Sequence, residues 1–273
     1  HMIKNKISIV TISYNQAEFL EECINSVINQ DYENVEYTVV DGGSTDGSRE
    51  LILKYKSKIK IIFQKNNTGP ADALNVGFKK ATGQICGYIN SDDFLLKDSL
   101  MKINNVFNKN PDLDLIFGNG IIVDENSFFK KRMISRNFDL NMYKYGRSLI
   151  CQQSTFFRKK VFDEMKGFNA ENWRSWDFEF FIDAYKSKFK MKKINDTYGA
   201  YRIYPFSITG SPDKSLNIKN HEKLFIKYFN RKKNIYDKII SKIFYFIDRL
   251  LNPIVLFYRI SDLIKSKKNI KVD

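Results

Sequence analysis

Between residues 6 and 109 the chain alternates short β-branched runs with segments of helical periodicity, four times in succession. Residues 6–13 (KISIVTIS), 35–43 (VEYTVVDGG), 59–64 (IKIIFQ) and 84–90 (QICGYIN) read as buried strands. Residues 17–30, 48–55, 70–81 and 98–109 read as helices. In the first of these, Phe19, Leu20, Cys23, Ile24, Val27 and Ile28 recur at helical spacing. Pro70 fits the first turn of the third, where its missing N–H costs nothing. Strands that alternate with helices form βαβ units and a mainly parallel sheet flanked by helices. The predicted fold class is therefore α/β. In such sheets ligands bind beyond the carboxyl ends of the strands. Three polar clusters fall at those ends: Ser13-Tyr14-Asn15, Asp41-Gly42-Gly43 and Asn90-Ser91-Asp92-Asp93.

The second part of the chain is less regular. Residues 113–124 look like strand material, 152–165 a strand followed by a helix, and 176–187 a strongly aromatic helix. The composition changes near 211–215, and a basic, aromatic, helical tail follows. With 273 residues and 43% hydrophobic composition the chain can fill one large domain with an appendage, and wholesale disorder is excluded. Cys23, Cys86 and Cys151 lie far apart in apolar or helical contexts, without C-x-x-C spacing. They are expected as buried free thiols in a reducing compartment. His1-Met2 reads as a cloning remnant, and no charged-then-apolar leader follows it, so no secretory signal is expected. The formal charge of +14 calls for a polyanionic partner, a phosphorylated ligand or an anionic surface. From Ser215 to Asp273, fourteen Lys/Arg against five Asp/Glu leave +9 of that excess in the last fifth of the chain.

Two acidic motifs carry the chemistry. Asp41-Gly42-Gly43-Ser44-Thr45-Asp46-Gly47 combines a strand-end carboxylate with glycines that let backbone approach a ligand. It reads equally as a turn capping the helix at Ser48. Asp92 and Asp93 set two like charges side by side, a repulsion that grows as water is excluded. Either the pair is an exposed turn before a helix capped by Asp98, or it binds Mg²⁺ or Mn²⁺, which take one or two carboxylates plus substrate phosphates.

The segments SIVTISYNQ, VVDGGSTDGS, GPADALNVGFKKATG and GYINSDD resemble, in this order, the nucleotide-sugar half of family 2 glycosyltransferases of the GT-A fold, a Rossmann-like architecture. CQQSTFFRKKVFDEMKGFN, WDFEFF and YRIYPFSITGS resemble their acceptor half, and the resemblance covers about residues 6–210. It implies a GT-A domain over 1–212, with a nucleotide-sugar half of about 1–112 and an acceptor half of about 113–212, followed by a helical extension over 213–273. It further implies sugar transfer from a nucleotide diphosphate donor, UDP favoured, with inversion, assisted by Mn²⁺ or Mg²⁺. On this resemblance Ser13, Tyr14, Asp41 and Gly43 belong to the base and ribose site, and Asp72 and Asn75 face the donor. Asn90, Ser91 and Asp92 belong to the ribose or metal region, Asp92 and Asp93 are the metal residues, and Asp177 falls where the catalytic base lies. Three positions depart from the family pattern: Asn90 stands where many relatives carry an Asp, Tyr204 where many carry a His, and Asp183 where an Arg often follows the base helix.

The chemistry is consistent on its own terms. A carboxylate such as Asp177 can take the proton of an attacking acceptor hydroxyl, and a cation beside the diphosphate neutralises the leaving group. Trp173 and Trp176 either stack on an acceptor sugar or pack in the core. His221 is expected on a helix surface, and no Ser/His/Asp triad or P-loop occurs. In the tail, Ile235, Ile239, Ile243, Phe246, Leu250, Ile254 and Phe257 form an apolar stripe bordered by Lys238, Lys242 and Arg249, with Pro253 predicted to kink or break the helix. The stripe fits an anionic membrane interface, or else it packs on the protein or a second subunit. The resulting expectation is a peripheral enzyme at the cytoplasmic membrane face, acting on a saccharide or lipid-linked acceptor, with oligomers allowed and no nucleic acid bound. The competing readings are a nucleotidyltransferase and a basic nucleic-acid-binding protein.

Overall fold

The computed structural model describes residues 3–146, 149–205, 207, 215–251 and 253–272, with the backbone alone described at 248, 249, 251 and 253–256. The predicted alternation is realised as β1 (Ile7–Ser13), α1 (Ala17–Ile28), β2 (Val35–Asp41), α2 (Ser48–Lys54), β3 (Lys60–Phe63), α3 (Pro70–Lys79) and β4 (Ile85–Asn90). A two-residue strand, β5 (Phe94–Leu95), and helix α4 (Ser99–Lys109) complete the first half. The second half contributes β6 (Leu115–Val123), β7 (Phe129–Met133), α5 (Leu140–Lys144), β8 (Thr155–Arg158), α6 (Lys159–Glu164), α7 (Trp176–Lys186) and β9 (Met191–Arg202). Three helices close the chain: α8 (Ser215–Phe229), α9 (Ile235–Leu251) and α10 (Pro253–Lys267).

All the strands join one nine-stranded sheet of order β3-β2-β1-β4-β8-β6-β9-β5, with β7 paired to β6. The pairs β3-β2, β2-β1 and β1-β4 are parallel, as is β6-β9, and β8 runs antiparallel between β4 and β6. The two expected halves therefore share one sheet. Strand β1 shows why its large side chains point to both faces. Ile7 and Ile9 enter the core layer under α1, α2 and α4, whereas Val10 enters the opposite layer under α3, α6 and α7. A strand covered on both faces has no solvent side, so even its Ser8 and Thr11 are buried.

Strand β9 was not legible in the sequence. Lys192, Lys193, Asn195, Asp196 and Thr197 obscure its alternation, and it is held by pairing with β6 on one side and β5 on the other. The three cysteines are free and buried, and His221 is exposed on α8, as expected. Asp98 lies in the left-handed backbone region with φ 60° and makes no side-chain capping bond, so capping of α4 does not account for the acidic run. Pro253 opens α10 where α9 has ended at Leu251, which agrees with the expected break. The expected boundary at 212/213 lies outside the described residues, as does the side chain of Arg249.

Helix α8 is docked on α7 by Lys227 Nζ to Glu179 Oε1 at 2.5 Å and Tyr228 Oη to Asp183 Oδ1 at 2.7 Å, with Leu224 and Phe225 buried. This gives Asp183 a structural partner in α8.

Candidate active site

The carboxyl ends of β1, β2, β3 and β4 open onto a common edge, and the loops there are stitched together by backbone and side chain. Gly42 N–H donates to Ser13 O at 2.8 Å, Asn15 N–H to Ser44 Oγ at 2.8 Å, and Thr45 N–H to Asn15 Oδ1 at 2.9 Å. Tyr14 is 46% exposed and its ring lies beside Gly42, where an added Cβ would stand 3.6 Å from Cδ2. Gly43 has φ +92°, and a side chain there would meet Lys65 O at 3.0 Å. Glycine is thus required by both conformation and space.

At three of the residues expected to meet the donor, the side chain is already engaged within the protein. Asp41 is fully buried, and its carboxylate accepts from Gly43 N–H (3.1 Å), Ser44 N–H (3.0 Å) and Ser44 Oγ (2.5 Å) while pairing with Arg49 at 3.3 Å. It shapes the glycine turn. Asn75 faces away from the edge: its amide donates to Phe168 O and accepts from Phe168 N–H, both at 2.8 Å, and so braces the turn before α7. Asp93 is 1% exposed. Its Oδ1 accepts from Arg202 N–H at 2.9 Å, and its Oδ2 from Gln153 Nε2 at 2.7 Å and Asn90 Nδ2 at 3.4 Å. The short acidic run anchors β4 to β9 through Asp93, which leaves Asp92 as the carboxylate turned to the cleft.

Asp92 is half-buried. Among the described residues only its Oδ2 takes a side-chain donor, the Tyr204 hydroxyl at 3.1 Å, which in turn accepts from Gln16 Nε2 at 3.0 Å. Tyr204 therefore orients Asp92. Burial pushes the Asp92 carboxyl above the usual carboxylate range, against the Tyr204 bond that favours its charge. Burial raises Asp93 further, with the Asp92 charge adding to it. Arg202, 1% exposed, relieves part of this. Its guanidinium is consumed by Asp92 O (2.8 Å), Asp124 O, Glu125 O, Ser127 Oγ and Glu22.

Ser91 is buried, with its N–H donating to Ile12 O at 3.2 Å. Asp72, in the first turn of α3, accepts from Thr68 Oγ1 at 2.5 Å and Gln64 Nε2 at 3.3 Å. Among the described residues, four buried polar atoms at this edge have no protein partner: Ser13 Oγ at the end of β1, Gln64 Oε1 just after β3, Asn90 Oδ1 at the end of β4, and Gln152 Nε2 in the turn before β8. Buried polar atoms are nearly always paired, so four orphans at one edge mark a place where a polar ligand completes the structure.

Asp177 sits in the first turn of α7 and accepts from Phe178 N–H at 2.8 Å. Burial pushes its carboxyl up to about 6. Its charge is felt by the buried hydroxyl of Tyr88 on β4, the strand that leads to Asn90. The two tryptophans separate. Trp176, 6% exposed, packs against Tyr88 and Phe168 with ring centroids at 5.3 Å from each, whereas Trp173 is 49% exposed. Trp173 lies on Gly69, whose φ is +95° and where a Cβ would stand 2.8 Å from the indole.

Sequence reasoning assigned no role to Gln16, Gln64, Gln152, Gln153 or Arg202. The signal for the last three was present: an amide pair in CQQSTFF and a charge in YGAYRIY sit within otherwise apolar or aromatic runs. Polar side chains in such settings need partners.

The Glycosyl transferase family 2 model matches residues 8–166. An uncharacterized glycosyltransferase of Haemophilus influenzae is 30% identical over 246 residues, which covers 88% of this chain and 93% of the relative. An uncharacterized glycosyltransferase of Nostoc is 30% identical over 211 residues, covering 73% of this chain and 65% of that protein's length. Among solved structures, Staphylococcus aureus TarS 1–349 in complex with UDP-GlcNAc superposes with a TM-score of 0.63 at 20% identity, covering 86% of this chain and 69% of that one. The mannosyltransferase PcManGT of Pyrobaculum calidifontis, in complex with GDP-Man and Mn²⁺, superposes with a TM-score of 0.63 at 16% identity, covering 99% and 77%. These two likenesses carry the fold, GT-A. The span of the family model and the near full-length Haemophilus match carry the rest: the chain belongs to glycosyltransferase family 2.

Proposed function

We propose that the chain is an inverting glycosyltransferase that moves a sugar from a nucleotide-diphosphate donor, a UDP-sugar in the first instance, to a saccharide or lipid-linked saccharide in bacterial surface polysaccharide synthesis, at the cytoplasmic face of the membrane. The observation that carries this reading is that four orphaned polar atoms share the carboxyl edge of the sheet with Asp92, whose Oδ1 takes no side-chain donor among the described residues. TarS with UDP-GlcNAc and PcManGT with GDP-Man, on the same fold, support a nucleotide-sugar as the polar ligand.

The donor set fits a hard divalent cation. Asp92 offers a carboxylate oxygen at the cleft, and Asn90 beside it is neutral, so most of the coordination falls to phosphate oxygens and water. Mn²⁺ or Mg²⁺ held by Asp92 and the diphosphate would supply Lewis-acid stabilisation of the charge on the leaving group. The chain's own residues do the remaining work. Tyr204 and Gln16 hold the Asp92 carboxylate in one orientation, and Asp93 and Gln153 fix the loop beneath it. Tyr14 and the Gly42-Gly43 turn form the wall for the nucleoside, and Asp72 faces the donor from α3. Asp177 accepts the proton of the attacking hydroxyl, and one displacement at the anomeric carbon gives inversion. A carboxyl at about 6 is largely ionised at neutral pH and basic enough to take that proton. Trp173 offers an exposed ring to an acceptor sugar.

The test is to incubate the protein with UDP- and GDP-sugars, Mn²⁺ and a lipid-linked saccharide, and to assay the released nucleotide. Release of nucleoside diphosphate with a new product of inverted anomeric configuration is expected. Release of pyrophosphate, or a retained configuration, would overturn the proposal.

A further inference from the structure

Among the described side chains of α9 and α10, Asp237 and Asp262 turn inward while a run of apolar residues faces outward. On α9, Asp237 is buried in a two-pronged pair with Arg231, with contacts of 2.6 and 2.7 Å. On α10, Asp262 is buried against β7, accepting Arg132 N–H at 2.9 Å and pairing with Arg132 Nε at 3.3 Å. Tyr258 lies under the same guanidinium, 4.5 Å from ring centroid to Arg132 Cζ. The body-facing side of α9 is fixed by Phe244, which stacks on Tyr145 at 5.5 Å.

What these contacts leave outside is apolar. At 100° per residue, Ile235, Ile239, Ile243, Phe246 and Leu250 occupy one arc of α9. All five are exposed, Phe246 at 65% and Leu250 at 67%. Lys238 and Lys242, also exposed, follow one border of that arc. On α10, Phe257, Ile260, Leu263 and Ile264 are exposed, with the exposed Lys267 at its end and Lys268 just beyond it. Water is a poor solvent for an apolar strip of this length, and such strips mark interaction surfaces.

We propose that the outer face of α9 and α10 docks on an anionic lipid bilayer, lying in the headgroup layer. Charge selects this occupant. A second copy of the chain would set lysine against lysine, whereas anionic headgroups receive the lysines while the acyl boundary receives the apolar arc. No helix among the described residues is long and apolar enough to cross a membrane, so this contact lies along the surface.

The experiment is flotation of the full chain with vesicles of phosphatidylcholine alone, and of phosphatidylcholine with phosphatidylglycerol at about three to one. Binding to the second vesicles, weakened by salt, is expected, with little to the first. Lys238→Gln and Lys242→Gln should each weaken it by about fivefold, the worth of one basic residue at such a surface. Phe246→Glu with Leu250→Glu should abolish it. Both positions are exposed, so the far-ultraviolet circular dichroism and melting temperature should stay unchanged. Absence of binding to anionic vesicles would overturn the proposal, as would binding that none of these variants weakens. A dimer in sedimentation that Phe246→Glu dissolves, without vesicle binding, would assign the face to a second copy instead.

Discussion

Two sets of buried acids lie at opposite ends of the same sheet, and the protein treats them differently. At the amino end, Glu36 of β2 accepts from Lys60 Nζ and Ser8 Oγ at 2.5 Å each and from Thr82 N–H at 2.7 Å, with Lys6 at 3.7 Å. Burial pushes the Glu36 carboxyl up, but these partners outweigh it and hold it down at about 2. At the carboxyl end, burial wins: Asp92, Asp93 and Asp177 all sit above the ordinary carboxylate value of 3.8. The first arrangement is complete within the chain. The second is left with raised carboxylates and orphaned polar atoms, which a cation and a polar ligand would satisfy. A buried acid alone is thus no mark of function; a buried acid that its own protein fails to satisfy is.

If the contrast is right, variants of Asp177 and Asp92 at the carboxyl end should lose function and keep stability, and a variant at the amino end should do the reverse. The largest effect is expected for Asp177→Asn, which removes the proton acceptor: transfer should fall by about 10²–10⁴ while nucleotide affinity, measured by calorimetry, stays at the parent value. Transfer at the parent rate would remove Asp177 from the base role. In the parent, kcat/KM should rise with pH through about 6, because the base acts only when deprotonated.

Next in size is Asp92→Asn, which should weaken metal-dependent nucleotide binding by more than about tenfold while leaving the melting temperature unchanged or higher, since it removes one of two repelling charges. Asp93→Asn should show the opposite balance, a fall in melting temperature with a smaller loss of metal response, because its oxygens serve Arg202 and Gln153. Equal effects on both readouts from the two variants would erase the distinction drawn between the neighbours.

At the amino end, Glu36→Gln should cost about 1–2 kcal/mol of stability, a figure discounted for the solvent that reaches Lys60, and leave nucleotide binding untouched. The sign with pH follows from a lowered carboxyl. The stabilisation is complete above the ordinary value of 4.5 and is lost as pH falls towards about 2, so parent and variant should converge in acid. The smallest effect is expected for Tyr204→Phe, a severalfold loss of metal affinity from a less firmly oriented Asp92.

The sequence disclosed the first half of the fold nearly element by element, because strands such as β1 are buried on both faces and read as short β-branched runs between helical segments. The second half was harder to read. Strands β5 and β7 are short, and β9 carries lysines and an Asp on a half-exposed run that tertiary pairing alone makes a strand. The candidate site was legible as residue types at strand ends, and Ser13, Tyr14, Gly43, Asn90, Ser91 and Asp92 do gather there. What the sequence did not disclose is how each side chain divides its bonds. Asp41, Asn75 and Asp93 carry the right chemistry at the right edge, yet their polar atoms face inward to Ser44, Phe168 and Arg202. Only long-range contacts decide that, as with Asp93, whose partners lie 60 and 109 residues away.

The most direct test of the central claim is calorimetric titration of the parent protein and Asp92→Asn with UDP and with GDP, each in Mn²⁺ and in chelator. The account predicts that the parent binds one nucleotide tightly in Mn²⁺ and weakly in chelator, and that Asp92→Asn binds weakly in both. Equal affinity with and without Mn²⁺, or an Asp92→Asn protein that keeps the full metal response, would contradict it.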